Sequence, residues 1–373
     1  MGTKNIHYGD ILVKYNTCIN EDYTKMPTIN ENINLDKIPS KYYLQQGDII
    51  IADTAEDYTV GKACEIFKIN SKVLSGLHTI PSRPKFQFAK GYLGYYLNTP
   101  TYHDNLIPLI TGIKVSSISK KEIKKTIIKF PSLPEQEKIA SFLTLIDKKI
   151  EKQKELVELL KKYKRGLLSQ IFSQKLRFKD DNGNYYPNWE EKRLGDICKI
   201  VGGGTPDTKN VEYWGDDINW FTPTEIIKKY AYSSNRKISK LGLLKSSAKI
   251  LPIGTVLLTT RATLGEMSIL GIEATTNQGF QSLIPIKDKV TSEFIYYCQP
   301  IIKHFCYKYA NGSTFLEISK QTLAKLKLMI PNKDEQNKIS EFLSKFDDKI
   351  QQEESLLNYL QIYKKGLLQQ LFI

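Results

Sequence analysis

The sequence predicts an α+β protein, in which two mixed α/β domains are separated by two long antiparallel coiled-coil helices arranged as a pseudo-twofold tandem repeat. Three observations predict this class. The 42 residues that begin at Pro131 return from Pro331 without a gap, and 19 positions are identical. Apolar residues in both copies recur every three and four positions, which is typical of a helix that packs against another helix. The segments before the two copies differ in sequence but share strand and turn patterns. A long internal repeat therefore sets the architecture.

The predicted boundaries follow this repeat. The first domain occupies 1–130, the first helical region and its linker 131–179, the second domain 180–330 and the second helical region 331–373. The linker carries an Asp-Asn-Gly turn, and an entry segment then begins at Trp189. The first domain has no counterpart to that segment. We therefore expect that it is shortened at its N-terminus or that its natural start lies upstream.

Short apolar runs and turn residues indicate the elements of the first domain. Ser119 and Glu122 resemble a capping box that opens a short helix. A helix is predicted over 91–97, and strands are predicted over 49–52, 63–69 and 126–130.

The second domain repeats parts of this plan. Residues 251–259 parallel 44–52, and the segment from Gly312 to Lys320 parallels the segment from Gly112 to Lys120. The domains have diverged far more than the helices. We interpret this difference as one shared assembly role for the helices and two separate recognition roles for the domains.

The charge balance favours an anionic partner. The net charge is +14 and the isoelectric point is near 9.2. The excess of basic residues is spread along the chain rather than gathered in a tail. Nucleic acid is the commonest soluble partner of such a protein, although a Lys-rich soluble protein without such a partner would have the same composition.

The cysteine pattern and the hydropathy argue against a disulfide-rich, zinc-binding, secreted or membrane-spanning protein. The five cysteines form no C-x-x-C pair, which argues against a disulfide framework or a structural zinc site and fits a reducing cytoplasm. No signal peptide or membrane-spanning run is recognisable, so no membrane partner is expected.

The seam of the two helices runs for about five heptads, or roughly 55 Å at 1.5 Å per residue. Both copies interrupt it with polar residues at the same two positions. Antiparallel pairing sets Lys164 against Glu353 and Gln153 against Lys364. We predict this arrangement because a buried charge or polar group is costly unless it has a partner. The residues predicted to form this interface are Ile146, Ile150, Gln153, Val157, Leu160, Lys164, Leu167, Ile171, Phe346, Ile350, Glu353, Leu357, Leu360, Lys364, Leu367 and Leu371.

Glycines lie at equivalent positions of both helices, Gly166 and Gly366. Each costs about 1 kcal/mol relative to alanine in a helix, so the pair could mark a close approach to a neighbour. The antiparallel pair itself has a pseudo-twofold axis, which suits a ligand with two short sites at a fixed separation, such as DNA half-sites.

Catalytic motifs are weak or missing. Residues 202–206 are glycine-rich but lack the lysine and hydroxyl residue of a P-loop, so a plain loop is the better interpretation. The Asn/Asp-Pro-Pro-Tyr tetrapeptide of amino-methyltransferases is not found, and the four histidines have no metal-ligand spacing. The sequence therefore indicates a binding protein, without a catalytic or a metal site.

The duplicated pattern Pro-x-x-x-Glu-Gln-x-Lys-Ile-x-x-Phe-Leu, which opens a long helix after each divergent domain, resembles the specificity (S) subunits of type I restriction-modification systems. The resemblance covers essentially the whole chain and is strongest at 133–140 and in the linker 176–189. Segments that resemble the family's target recognition domains are 259–265, 276–280 and 311–314.

The resemblance implies a non-catalytic subunit of a cytoplasmic hetero-oligomer. Each target recognition domain would read one half of an asymmetric site in double-stranded DNA. The helices would set the spacer and dock two methyltransferase (M) subunits, which recruit two restriction (R) subunits. S-adenosylmethionine, ATP and magnesium would be used by those partners, so no cofactor is expected on this chain. The alternative is a coiled-coil assembly scaffold without sequence-specific DNA binding.

Candidate DNA contacts are basic residues for phosphates, and Arg, Asn, Gln, Ser or Thr for base edges. In the first domain these are Lys14, Tyr15, His78, Ser82, Arg83 and Lys85. In the second domain they are Lys209, Lys228, Lys229, Tyr230, Tyr232, Arg236, Lys237, Arg261, Gln278, Gln281, Ser313 and Thr314. A solvated surface charge is the alternative for each lysine, and a structural role is the alternative for His78.

Overall fold

A computed structural model describes residues 2–22, 25–30, 32–112, 114–261, 263–311 and 317–372. The chain divides into two units. Unit 1 comprises Met1–Glu158 with Gln352–Ile373, and unit 2 comprises Leu159–Gln351. Each unit therefore contains one α/β domain with parts of both long helices.

The elements of the described residues are as follows. The strands are β1 (Lys4–Ile6), β2 (Cys18–Asn20), β3 (Ile49–Ala52), β4 (Thr54–Ala55), β5 (Ala63–Lys68), β6 (Val73–Ser75), β7 (Thr79–Ser82), β8 (Ser116–Ser117), β9 (Glu190–Arg193), β10 (Cys198–Gly202), β11 (Trp214–Phe221), β12 (Tyr230–Ala231), β13 (Arg236–Ile238), β14 (Val256–Leu258), β15 (Met267–Leu270), β16 (Thr275–Thr276), β17 (Gln281–Pro285) and β18 (Lys327–Ile330). The helices are α1 (Tyr8–Val13), α2 (Tyr92–Tyr96), α3 (Pro100–Leu106), α4 (Lys120–Ile123), α5 (Leu133–Phe172), α6 (Leu194–Ile197), α7 (Lys240–Leu244), α8 (Ser292–Tyr297), α9 (Gln299–Tyr309), α10 (Lys320–Ala324) and α11 (Lys333–Leu371).

Unit 1 is built on a four-stranded sheet of order β2-β5-β3-β7. Strand β3 is antiparallel to both of its neighbours, and β2 is parallel to β5. All four residues of β3 are buried, as its unbroken apolar run predicts. The predictions of strands over 49–52 and 63–69 and of a helix over 91–97 are confirmed by β3, β5 and α2.

Helix α2 is held to the sheet by a buried carboxylate. The Glu65 carboxylate accepts hydrogen bonds from the Gly91 N–H at 2.6 Å and the Gly94 N–H at 2.9 Å. Burial raises the pKa of Glu65, and these hydrogen bonds oppose the rise. A raised folded pKa means that the folded chain holds this proton longer, so the contribution of Glu65 to stability falls as the pH rises through that pKa.

The long helices belong to the cores of both units. In unit 1, Ala140, Leu143 and Phe372 pack with Tyr92 and Tyr96 beneath the sheet. In unit 2, the five-stranded sheet β10-β17-β14-β15-β12 contributes to a core that also takes in Ile171, Ile339 and Leu343. The helices are thus integral to each domain, and the α+β class with antiparallel helices is confirmed.

One predicted strand of unit 1 is wrong. Residues 126–130 form no strand, whereas the equivalent segment of unit 2, β18, pairs antiparallel with β9. Strand β9 belongs to the entry segment that has no counterpart in the first domain. The apolar run is therefore present in unit 1 without the strand it would pair with, and Ile127 remains 78% exposed.

Candidate nucleic-acid interface

Arg236, a predicted DNA contact in unit 2, packs against two tryptophan rings. Its guanidinium carbon lies 3.5 Å from the ring centroid of Trp214 and 5.4 Å from that of Trp220. Arg236 is the exposed residue of β13 and lies beside the half-buried Lys237. Contact with two aromatic faces fixes the guanidinium plane and leaves its donors available. An arginine oriented in this way is suited to a base edge or a phosphate.

A glycine-rich turn brings a second group of polar side chains together. The predicted loop at 202–206 packs tightly, because a Cβ on Gly203 would lie 2.0 Å from the Asn277 carbonyl oxygen. The turn places the Thr205 hydroxyl so that it donates to the exposed Gln278 Oε1. In the neighbouring β17, Gln281 Oε1 is buried without a hydrogen-bond partner among the described residues. The exposed amide of Gln278 is therefore accessible at this edge, whereas the Gln281 acceptor is covered.

Arg261 follows β14 and is half-buried. Its Nη2 donates to Glu317 Oε2 at 2.8 Å. Since that ion pair involves one edge of the guanidinium, a contact with guanine through the same edge would require Glu317 to move. Ser313 and Thr314 lie outside the described residues.

Some of the remaining candidates of unit 2 are exposed to solvent, and the others form hydrogen bonds within the unit. Lys209, Lys228 and Tyr232 are exposed. The Tyr230 hydroxyl donates to Glu293 at 3.4 Å, and burial, followed by the Glu293 charge, raises the pKa of Tyr230 to about 12. Lys229 points inward, where its Nζ donates to the Tyr297 hydroxyl at 2.9 Å and to Ser344 Oγ at 3.2 Å. The prediction that Lys229 contacts DNA is therefore wrong, because the domain interior occupies its ammonium group.

Neighbouring lysines give a direct test of this difference. We expect Lys228→Met to reduce the slope of log K for DNA against log salt by about 0.9, the effect of losing one phosphate contact. Lys229→Met should leave the slope unchanged and lower the stability of unit 2 by about 1 kcal/mol through its lost hydrogen bonds. Salt titrations of DNA binding and denaturant unfolding of both variants measure the two effects. An unchanged slope for Lys228→Met would remove it from the interface.

Unit 1 places one predicted contact in its core. Tyr15 is 5% exposed and packs with Ile11 and Ile19. Burial, followed by the Asp10 charge, raises the pKa of Tyr15 to about 12. The prediction of a DNA contact by Tyr15 is wrong, because an apolar ring next to buried strands is stabilised by removal from water.

The other candidates of unit 1 lie at its surface, several with partners. Arg83 Nε and Nη2 donate to the buried Asp48 at 2.7 Å each, so this arginine fixes its own loop. His78 has a φ of 54° and its Nδ1 lies 3.3 Å from Asp53 Oδ1. The exposed Lys14 pairs with Asp10 at 2.6 Å. Lys85 is exposed and Ser82 half-buried.

In unit 1, the contact between the two helices includes a polar layer and an ion pair beside its apolar residues. Gln153 Nε2 donates to Glu353 Oε2 at 2.5 Å and to the Glu353 carbonyl at 3.0 Å. Lys364 Nζ lies 2.5 Å from Asp147 Oδ1, and Tyr95 donates to the same carboxylate at 2.8 Å. Partner numbers fall along α11 as they rise along α5, so the helices run antiparallel here.

Unit 2 repeats this arrangement with the other ends of the helices. Lys164 pairs with Asp347 Oδ1, and the Tyr297 hydroxyl donates to Asp347 Oδ2 at 2.7 Å. Burial and the Asp347 hydrogen bond raise the pKa of Tyr297. Lys229 Nζ lies 3.9 Å from the same carboxylate. Each unit therefore encloses a lysine, an aspartate and a tyrosine at the junction of helix and domain.

The predicted register of the helices is wrong by about one heptad. Gln153 faces Glu353 instead of Lys364, and Lys164 faces Asp347 instead of Glu353. The prediction allowed only seam residues to pair with each other. A lysine side chain is long enough to leave the seam for an aspartate on the flank, and the domain tyrosine adds a second donor to that carboxylate. All sixteen predicted interface residues are nevertheless buried or half-buried.

Several structural polar residues were not predicted. Glu335 is fully buried, where it accepts hydrogen bonds from Arg177 and from the Trp189 indole. Asp147 and Asp347 were visible as an identical pair outside the apolar seam, which is a usable signal. Among the described residues, no group of three His, Cys, Asp or Glu side chains could hold a metal ion. None of the described helices is both long and apolar enough to cross a membrane.

Known proteins resemble this chain in sequence. A family model described as the type I restriction modification DNA specificity domain matches residues 5–161 and again residues 186–361. The MjaIX type I restriction enzyme specificity subunit of Methanocaldococcus jannaschii is 40% identical over 186 residues, which are 48% of this chain and 43% of that protein. The EcoR124I/EcoR124II specificity subunit of Escherichia coli is 26% identical over 323 residues, with 82% and 74% covered. The match therefore spans less than half of the first relative and about three quarters of the second.

Solved structures resemble it in fold. The S subunit of the type I restriction-modification system from M. genitalium superposes with a TM-score of 0.54 at 17% identity, covering 88% of this chain and 83% of that one. A chain from a structure concerned with complex assembly and conformational transition of the type I system gives a TM-score of 0.60 at 19% identity, covering 88% and 82%. Both likenesses concern the fold.

Proposed function

Because the chain belongs to the family of type I restriction modification DNA specificity domains, we propose that it is the sequence-recognition subunit of a type I restriction-modification complex in the cytoplasm. The observation that carries the proposal is that the family model matches twice, once over each domain and part of the helix that follows it. Two recognition domains on one chain suit a DNA site of two separated halves.

The DNA-reading surface of unit 2 would use its exposed polar groups. Arg236 lies against two tryptophan rings, and Gln278 offers an exposed amide beside the glycine-rich turn, with Gln281 half-buried behind it. Arginine and glutamine are the side chains that pair in bidentate fashion with guanine and adenine. Lys209 and Lys228 would contact phosphates, which fix the position of the protein but carry no sequence information.

The paired helices would set the spacer between the half-sites and dock two methyltransferase subunits, which in turn bring the restriction subunits. The equivalence of the two lysine-aspartate-tyrosine groups supports two equivalent docking places, because the same local structure is built in each unit. Adenine methylation and DNA cleavage would reside in those partners, together with S-adenosylmethionine, ATP and magnesium. This chain would bind no cofactor and catalyse no step.

Methylated-adenine sequencing tests this function. The chain and its methyltransferase subunit are expressed together in cells without other adenine methylation. We expect methylation at one bipartite, asymmetric motif that depends on both proteins. Methylation without this chain, or in an uninterrupted motif, would contradict the proposal. A scaffold without DNA specificity would give no motif at all.

Replacement of Arg236 should relax one half of that motif. Arg236→Ala is expected to cost about 1–3 kcal/mol at one half-site if the arginine reads guanine. Arg261→Ala is the comparison, and a smaller effect is expected because Arg261 first has to leave Glu317. Competition binding with half-site mutants measures both. Equal losses across unrelated sequences would assign Arg236 to a phosphate instead.

A further inference from the structure

In unit 2, the entry segment covers one side of the core. Strand β9 of this segment pairs antiparallel with β18, and the Leu194 N–H donates to the Leu326 carbonyl at 2.7 Å. Trp189, Leu194 and Ile197 belong to the same buried cluster as residues of α10, β18 and the start of α11. The members of those three elements that lie in this cluster include Leu323 at 0% exposed, Leu328 at 3%, Ile330 at 6% and Ile339 at 0%.

The same positions of unit 1 carry apolar residues without that cover. In the register of the internal repeat they are Ile123, Ile128, Phe130 and Ile139. Phe130 is 47% exposed, the other three are half-buried, and the neighbouring Ile127 is 78% exposed. We call these five residues the open face of unit 1. Exposed apolar side chains grouped in this way are typical of a protein interaction site.

The backbone at the open face also has free donors. The Lys129 N–H donates to the Tyr96 hydroxyl at 3.3 Å. The N–H groups of Ile128 and Phe130 donate to no other described residue. In unit 2, the equivalent residues belong to β18 and pair with β9. A strand added to the open face would therefore find main-chain groups that are ready to pair.

We propose that the open face binds a segment of a second polypeptide by strand addition, and that this segment has the chemistry of residues 176–197. In unit 2, those residues supply an arginine and a tryptophan, then a charged strand, then a short helix with Leu194 and Ile197 on its buried side. Because α4 and the start of α5 repeat α10 and α11, such a segment meets an equivalent surface in unit 1. This interaction does not depend on DNA binding.

Charge favours the same occupant. In β9, Glu191 pairs with the position of β18 whose counterpart in unit 1 is the exposed Lys129. Opposite charges on paired strands stabilise the pair. In unit 2, Glu335 accepts hydrogen bonds from the arginine and the indole of the segment. Its counterpart Glu135 is exposed and would accept the same donors.

A synthetic peptide tests the open face. The probe is residues 176–197 of this chain with a fluorophore at the N-terminus, added to the full chain, and fluorescence anisotropy gives the dissociation constant. We expect that constant to rise at least tenfold when the peptide carries Leu194→Asp and Ile197→Asp. Phe130→Asp in the chain should weaken binding of the unaltered peptide by the same factor. Val13→Asp, at an 83% exposed position of α1, is the control and should leave binding unchanged.

Hydrogen exchange shows where the peptide binds. Binding should slow amide exchange of residues 126–130 at least tenfold and leave residues 326–330 unchanged, since unit 2 keeps its own entry segment. Changed exchange at 326–330 alone would mean that the peptide replaces that segment, which would overturn the proposal. A peptide that does not bind, or that binds Phe130→Asp as tightly as the wild-type chain, would overturn it as well. The peptide variants and the exchange measurement leave the chain unaltered, so they test the open face even where Phe130→Asp lowers the melting temperature.

Discussion

Glu335→Ala is expected to lower the free energy of unfolding of unit 2 by about 3–5 kcal/mol, the usual cost of breaking a buried ion pair from one side. Glu335 is fully buried at the start of α11. Its two oxygens accept from Arg177 Nε at 2.9 Å and Nη2 at 3.1 Å, and Trp189 Nε1 donates at 2.9 Å. Alanine would remove the acceptor of the indole N–H and of the guanidinium Nε, and would leave Nη2 with only the Tyr186 and Pro187 carbonyls. Glu335→Gln, which keeps an acceptor but not the charge, should cost about 2 kcal/mol.

The repeat supplies a matched control for this prediction. Glu135 holds the equivalent position in unit 1, but it is exposed, and its carboxylate accepts no hydrogen bond from another described residue. Glu135→Ala should therefore change stability by less than about 0.5 kcal/mol. All three tryptophans lie in unit 2, so the midpoint of unfolding by tryptophan fluorescence reports that unit, and circular dichroism covers the control. Equal effects of the two variants would mean that the Arg177 contact adds nothing.

This pair of glutamates also shows where sequence reasoning ends. Both were visible as an identity of the repeat, and both begin a helix. Only the linker that carries Arg177 and Trp189 distinguishes them, because it folds back onto Glu335. The entry segment also explains residues 126–130. They have the pattern of a strand, but unit 1 lacks the entry segment whose strand would pair with them. A local pattern predicts what a segment can form, and a distant segment decides whether it does so.

The helix pair separates what periodicity can predict from what it cannot. Apolar spacing identified the seam, and the polar interruptions correctly indicated antiparallel pairing. A shift of one heptad leaves the apolar pattern in phase, so spacing alone does not choose between registers. The choice depends on Asp147, Asp347 and two domain tyrosines, which lie outside the seam. Likewise, lysine composition could not distinguish Lys228 at the surface from Lys229 in the interior.

Asp347→Asn should destabilise unit 2 by about 2–4 kcal/mol, more than its counterpart Asp147→Asn destabilises unit 1, because a buried cation that loses its counter-charge is costly. Asp347 serves both Lys164 and Lys229, whose side chains are 18% and 12% exposed, whereas Asp147 serves Lys364. The neighbouring Asp348 is exposed, so Asp348→Asn is the control.

The pH dependence of the stability lost in Asp347→Asn identifies the cause of that loss. Burial lowers the pKa of Lys229, and the Asp347 charge opposes that effect, so removing the carboxylate should lower it further. A lysine with a lowered folded pKa binds fewer protons in the folded than in the unfolded chain, and stability then rises as the pH rises towards 10.5. The deficit of Asp347→Asn should accordingly shrink between about pH 8 and 10, and Lys229→Met in the same chain should recover part of it at pH 7. Denaturant unfolding followed by tryptophan fluorescence measures both. A deficit that stays constant with pH would mean that the loss comes from the Tyr297 hydrogen bond rather than from an uncompensated ammonium group.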